Sequence, residues 1–362
     1  MRFFIISGEA SGDLYGANLA KQILLQQPSA ELKGWGGDKM QTQGVKILKH
    51  YKDLAFMGFI EVAIHLPKIL RNFALCKKQI DEFKPDAVIL IDYPGFNLRM
   101  AKWLHNNNYR VIYYIAPQVW AWHSSRIKQI KKYVDLLFPI LPFEKQFFEK
   151  YGIHTEYSGH PLLDIIAEYK QTHNNARTGS NIIALFAGSR KQELKRMLPV
   201  LLKITSRFPD KRFIIAGAKH LPQKLYTKAL KEYPQVEIIY NETYRLLSMA
   251  EAAIVKSGTS TLETALFGVP EVVVYKTSGI SYRIAKAVVS KKIKYISLVN
   301  LILDRKAVPE LIQNDFTADN ITRELYKILS YPNEQKQNFD ELKKMLGSGD
   351  TAEQIAKKII QI

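Results

Sequence analysis

Two acids near the start of the chain, and a third after an apolar run, stand where α/β proteins place their ligand loops. The stretch FFIISGEASGDLYGANLAKQI, residues 3–23, reads as a buried strand, a glycine-rich turn and a helix from about Gly12. Such turns often cradle phosphate, because the N–H groups at a helix start favour negative charge. This one carries Glu9 and Asp13, and a carboxylate repels phosphate. Its sequence, G-E-A-S-G-D, is not G-x-G-x-x-G, and no such pattern occurs elsewhere, which argues against a dinucleotide site. Glu9 suits a partner with hydroxyl groups, such as a sugar, from which it can accept hydrogen bonds or a proton. Asp13 reads as a cap of the helix start. Asp92 ends the apolar part of DAVILIDYPGFNLR, residues 86–99. A carboxylate on a rigid, partly desolvated strand end has a raised pKa, which suits a general base. The plain alternative is a turn-forming Asp. In YIAPQVWAWHSSRIKQIKK, residues 114–132, Trp120 and Trp122 offer faces for a sugar ring or an apolar chain, and His123 offers a donor or an acid.

The later half holds two loops of opposite character. In LFAGSRKQELKRMLP, residues 185–199, a strand runs into Gly188-Ser189 and a helix begins. Arg190 adds a fork of donors that matches phosphate. The alternative is a serine N-cap with a surface arginine. In AAIVKSGTSTLETALFGVP, residues 252–270, a strand enters Ser257-Gly258-Thr259-Ser260-Thr261. Amides and hydroxyls there can hold a diphosphate. Glu263, placed in the first turn of the next helix, can accept from two adjacent ribose hydroxyls; alternatively it only meets the helix dipole. Two such loops at successive strand ends point to a nucleoside diphosphate.

Alternating elements must position these loops. Strands are expected at 3–6, 87–92, 110–115, 136–140, 182–187, 212–216, 236–240, 252–255 and 271–275, with helical segments between most of them. That alternation predicts an α/β protein with parallel sheets covered on both faces, and ligands in such sheets bind beyond the strand C-termini. The chain has 362 residues, a length that suits two domains. A Gly-His-Pro turn and a polar stretch over 158–181 mark the join. We divide the chain as 1–165, 166–335 and a helical 336–362.

The composition is basic, with 52 Lys and Arg against 34 Asp and Glu, a formal charge of +18. Nucleic acid, an anionic membrane surface or phosphorylated substrates are the partners such charge suits, and solubility alone is the bland reading. Nucleic acid has only the charge in its favour. Cys76 is the single cysteine, so no intrachain disulfide can form. No signal-peptide pattern precedes the first strand and no apolar run is long enough to span a membrane, so a cytoplasmic protein is expected. Residues 54–78, LAFMGFIEVAIHLPKILRNFALCKK, combine Phe56, Met57, Phe59 and Ile60 with a basic edge. The segment can lie in a membrane interface or pack as a buried helix pair.

The motifs SGEASGD, AFMGFIEV, IDYPGFN, PQVWAW, LPFEK, SGHPLLD, GSR, SGTSTLE and SLVNLI occur in this order. Together they resemble the lipid A disaccharide synthase family, from the start of the chain to about residue 313. One departure is Phe-Ala-Gly-Ser-Arg, where the family often has Leu-Pro-Gly-Ser-Arg; Gly188, Ser189 and Arg190 are kept. The resemblance implies a GT-B glycosyltransferase of two Rossmann-like domains facing across a cleft. The second domain would bind the donor, UDP-2,3-diacylglucosamine, and the first the acceptor, 2,3-diacylglucosamine 1-phosphate (lipid X). No cofactor is implied, and without a D-x-D motif no metal is indicated. Asp92 would be the base, with Glu9 on the acceptor or behind Asp92. Arg190 and the amides of Ser257, Gly258 and Thr259 would face the diphosphate, Glu263 the ribose, with Asn300 and Gln313 near the nucleotide. The enzyme would work peripherally on the anionic inner face of the bacterial inner membrane. The final helix is expected to cross back onto a first domain, its own or, in a homodimer, a partner's. The rival readings are another UDP-sugar transferase or a UDP-sugar 2-epimerase of the same fold, and a basic membrane- or nucleic-acid-binding module.

Overall fold

The computed structural model describes residues 1–54, 66–122, 124–173, 180–278 and 294–361; side chains at 66, 121, 122, 124 and 125 are outside the description. The chain divides into two compact units, Met1–Asp164 with Gly347–Ile362, and Ile165–Leu346.

Apolar runs build the sheet of the first unit. Its strands are β1 (Arg2–Ser7), β2 (Glu31–Gly36), β3 (Lys46–His50), β4 (Ala87–Ile91), β5 (Arg110–Tyr114) and β6 (Leu136–Phe138). They lie in the order β3-β2-β1-β4-β5-β6, and every pairing is parallel. β1 and β4 sit at the centre, and Phe3 to Ile6 and Val88 to Ile91 have no exposure at all. Residues buried on both faces must be apolar throughout, so these strands were legible as unbroken runs. β2 (ELKGWG) and β3 (KILKH) lie toward the sheet edge and carry glycine or lysine, and no strand was expected there.

The second unit repeats the plan. Its strands are β7 (Ile182–Phe186), β8 (Arg212–Gly217), β9 (Glu237–Tyr240), β10 (Ala252–Lys256), β11 (Glu271–Tyr275) and β12 (Glu310–Ile312). The order is β12-β11-β10-β7-β8-β9, again wholly parallel. In both sheets the first strand of the unit is flanked by the second and the fourth. The chain therefore reverses its winding between β1 and β4, and between β7 and β10. The loops beyond those strand ends are the places where such sheets take ligands.

Helix Pro332–Leu346 belongs to the second unit. The boundary expected at 335 therefore moves to 346, because Phe339, Leu342 and Leu346 are buried and the helix packs on its second-unit neighbours. Only residues 347–362 group with the first unit. There helix Thr351–Ile360 lies against helix Ala10–Gln26. The Asp164 carboxylate accepts from the amides of Thr351 at 3.2 Å and Ala352 at 2.9 Å, satisfying the start of the final helix. Lys358 pairs with Glu156, and Gln26 donates to the Glu353 carbonyl.

Asp13 corrects one expectation. It does not cap its own helix, whose N-cap position is Glu9. Its buried carboxylate accepts from the amides of Gly37 (2.7 Å), Lys39 (3.1 Å) and Met40 (3.2 Å), at the start of helix Asp38–Thr42. It thus ties the first helix to the end of β2. Asp13→Ala should lower the stability of the first unit by about 2–4 kcal/mol, because three amides lose a charged acceptor. Thermal unfolding would show this as a lower melting temperature, with Asp13→Asn recovering part of it.

Candidate active site

In the first unit, the ends of β1 and β4 bring Glu9, Asp92 and Tyr93 together. Asp92 and Tyr93 take left-handed backbone conformations in succession, with φ of 45° and 47°. For residues with side chains that is strained by roughly 1–3 kcal/mol each, so the surroundings must hold it. Three buried or part-buried hydrogen bonds do so. The Asn97 amide donates to the carbonyls of Ile91 (3.1 Å) and Asp92 (2.8 Å), and the Tyr113 hydroxyl donates to the Asp92 carbonyl at 2.7 Å. The Asp92 N–H donates to Tyr114. The turn thus holds Asp92 just beyond the end of β4.

Gly8 explains part of the glycine-rich loop. A Cβ there would stand 2.4 Å from the Tyr93 ring, so only glycine lets that ring lie across the β1 loop. The ring stacks on Phe96 at 5.6 Å, and Phe96 stacks on Phe73 at 4.2 Å.

Burial, with a smaller contribution from the nearby Glu9 charge, raises the Asp92 carboxyl to about 6 against the opposing Tyr93 amide. Burial and the same Glu9 charge push the Tyr93 phenol up. A further acid went unassigned in the sequence although it lies in LPFEK. Glu144 is fully buried and accepts from the Trp120 indole at 2.9 Å and from the amides of Ile140 (3.1 Å) and Leu141 (3.0 Å). Burial raises its carboxyl to about 7 against those three donors, with Asp92 adding to the rise. Trp120 is half-buried, and Phe143 meets it edge-on at 5.0 Å. Glu144 thus fixes the orientation of Trp120. Trp122 lies in helix Val119–Trp122 with its side chain outside the description; Phe56, Met57, Phe59, Ile60 and His123 lie outside the described residues.

In the second unit, the loops after β7 and β10 are neighbours, since Val255 of β10 pairs with Phe186 of β7. Gly188 has φ of 100°, and a Cβ there would strike Glu193. Ser189 and Arg190 are exposed. Arg190, not Ser189, occupies the N-cap position of helix Lys191–Leu202, in extended backbone and without a side-chain cap bond. The Ser189 carbonyl lies 2.8 Å from His220 Nε2.

After β10, Gly258 is the N-cap of helix Thr259–Leu266, and Gly258 and Thr259 are exposed. The expectation that the Ser257 amide faces a diphosphate is corrected: that N–H donates to Val274, and the hydroxyl donates to Ile296. Glu263 lies one turn further along than expected, because the helix starts at Thr259 and its first turn holds no acid. The helix-dipole explanation for Glu263 therefore fails. Its carboxylate accepts from the Tyr244 hydroxyl at 3.1 Å.

Gln313 follows β12 with φ of 54°; its N–H donates to Tyr275, and its side-chain amide is oriented to pair with the Thr277 backbone. Asn300 is fully buried. Its NH2 donates to the Val308 carbonyl and Glu310, and its oxygen accepts from the amides of Ala307 and Val308. Its visible work is to hold the approach to β12. Among the described residues no three His, Cys, Asp or Glu are grouped to hold a metal, and no helix is long and apolar enough to cross a membrane.

Two doubly wound parallel sheets of the same order, each with polar loops at its switch point, define the GT-B fold of sugar-nucleotide enzymes. Solved structures agree. UDP-GlcNAc 2-epimerase from Neisseria meningitidis, bound to UDP-GlcNAc, matches with a TM-score of 0.65 at 14% identity, over 100% of both chains. MurG from Acinetobacter baumannii matches with 0.57 at 13% identity, over 100% of this chain and 99% of its own. At sequence level the chain belongs to the lipid-A-disaccharide synthetase family, whose sequence model matches residues 3–361. It is similar to the lipid-A-disaccharide synthase of Geobacter sulfurreducens, at 34% identity over 100% of this chain and 97% of that one.

The clamp on Asp92 gives a direct test. Tyr113→Phe should cost about 1–2 kcal/mol in thermal unfolding, because a buried carbonyl loses one of its two side-chain donors. Asn97→Ala should cost more, because two carbonyls lose a donor.

Proposed function

We propose that this chain condenses UDP-2,3-diacylglucosamine with lipid X, giving the β-1′,6-linked disaccharide 1-phosphate and UDP. The observation that carries the mechanism is Asp92, a carboxyl held off a rigid strand end with its pKa raised to about 6. Near neutral pH it is ionised yet basic enough to take a proton. It accepts the proton of the acceptor 6-hydroxyl as that oxygen attacks the anomeric carbon from the face opposite UDP. The new C–O bond forms as the bond to the diphosphate breaks, so the anomeric centre inverts in one step. UDP is a good leaving group, and no general acid is required. The charge growing on the diphosphate falls to Arg190 and the exposed start of helix Thr259–Leu266. Glu263 receives the ribose, and Gln313 borders the nucleotide. Glu9 faces the acceptor and keeps the Asp92 carboxyl raised.

The formal charge of +18 supports docking on anionic lipid, where each nearby Lys or Arg contributes ~1 kcal/mol. We place the enzyme on the cytoplasmic face of the bacterial inner membrane, where both acylated substrates reside.

The test is UDP release from UDP-2,3-diacylglucosamine in mixed micelles, with and without lipid X. Release that depends on lipid X, with a disaccharide product, is expected. Turnover of soluble UDP-N-acetylglucosamine alone would point to an epimerase instead. Asp92→Asn should keep the fold and UDP binding and reduce transfer by about a thousandfold or more, as loss of a positioned base does at the upper end; near-normal turnover would remove Asp92 from the role. The base acts when deprotonated, so wild-type activity should be full above pH 7 and fall as pH drops through about 6.

A further inference from the structure

The two loops of the second unit share a charged pair to which the reading above gives no part. Lys256 ends β10, immediately before Ser257. Its ammonium lies 3.0 Å from Oε1 of Glu193 and 3.9 Å from where a Cβ on Gly258 would stand. Glu193 sits in the first turn of helix Lys191–Leu202, behind Arg190. Its second oxygen, Oε2, is buried without a hydrogen-bond partner and lies 2.5 Å from where a Cβ on Gly188 would stand. The pair therefore reaches from one loop glycine to the other. The side chains are 21% and 14% exposed, so the ammonium keeps an open side. The Tyr275 ring lies 5.7 Å from it and offers a face that favours a cation.

A carboxylate beside Gly188 is a liability in a loop that receives phosphate. Lys256 neutralises it and still has donors to give, since an ammonium has three N–H groups and Glu193 Oε1 takes one. Arg190, the cation visible in the sequence motif, stands exposed at the N-cap with no side-chain cap bond. Lys256 is the cation already held between the loops.

We propose that Lys256 is a diphosphate-binding residue of the donor site, and that Glu193 is the positioning residue that holds its ammonium between Gly188 and Gly258. This rests on the reading of the second unit as the UDP-binding unit. The competing account makes the pair a structural pin between β10 and the neighbouring helix. A pin affects stability but does not distinguish a diphosphate from a bare nucleoside.

Calorimetric titration of the full chain with UDP, UMP and uridine separates the two. Lys256→Met should weaken UDP about tenfold or more, as loss of a charge-assisted phosphate contact does, and leave uridine within about twofold. The salt dependence of UDP binding should become shallower, and Lys256→Arg should recover part of the loss. Glu193→Ala decides the second half by its sign. Weaker UDP binding supports positioning. Tighter binding would make Glu193 only a repulsive neighbour and overturn its role. Equal losses for UDP and uridine in Lys256→Met, with a lower melting temperature, would establish the pin and overturn the proposal. A wild-type chain that binds uridine but gains nothing from UMP to UDP would overturn it while sparing the nucleoside site. A wild-type chain that binds none of the three would remove the donor reading itself, and the proposal with it.

Discussion

A parallel strand covered on both faces has no room for chemistry along its length. β1, β4, β7 and β10 are of this kind, and their side chains are almost all apolar and buried. Every polar group that acts must therefore stand just beyond a strand end, where the sheet stops covering it. The order of the strands then selects which ends matter. Adjacent ends whose helices lie on opposite faces leave a gap, and each unit has one such gap, after β1 and β4 and after β7 and β10. Glu9 and Asp92 stand at the first of these gaps, and Gly188, Arg190, Lys256 and Gly258 at the second.

The two gaps are furnished in opposite ways. In the first, Glu9, Asp92 and Glu144 concentrate negative charge, and burial keeps the carboxyls of the last two above their ordinary range. In the second, Arg190 stands at a helix start and Lys256 at the end of β10, just before the next helix, whose N-terminal N–H groups add to the positive field. A neutral hydroxyl suits the first environment and a phosphate the second. This answers the problem set by a phosphate-like loop with acids in it. The glycine at position 8 accommodates an aromatic ring, and no phosphate is needed to explain it.

Much of this was legible in sequence because central strands are unbroken apolar runs and the loop after each has a distinct composition. Asp92 could be found for that reason, as could the GSR and SGTST loops. The residues missed are those whose task depends on partners far along the chain. Asp13 serves a helix that starts 25 positions later, at Asp38. Tyr113 reads as one more core aromatic until its hydroxyl is seen on the Asp92 carbonyl. Asn300, in a motif that suggested the nucleotide, has its whole amide engaged within the chain. Glu193 and Lys256 lie one in each of the two quoted loops, yet neither shows from sequence that it meets the other. β2 and β3 escaped notice because they carry lysine and glycine in place of an unbroken apolar run, and β12 because it is only three residues long.

The helix Thr351–Ile360 has a consequence for how the protein is made. It packs on Ala10–Gln26, yet the whole of the second unit is encoded between them. During synthesis the second unit can complete its sheet and bury its core while the first still has an uncovered flank. The ribosome must deliver residues 347–360 before that flank closes. Vectorial synthesis thus reverses the order of maturation. The half of the protein that emerges first is finished last, and until then its first helix exposes an apolar stripe that a chaperone could hold.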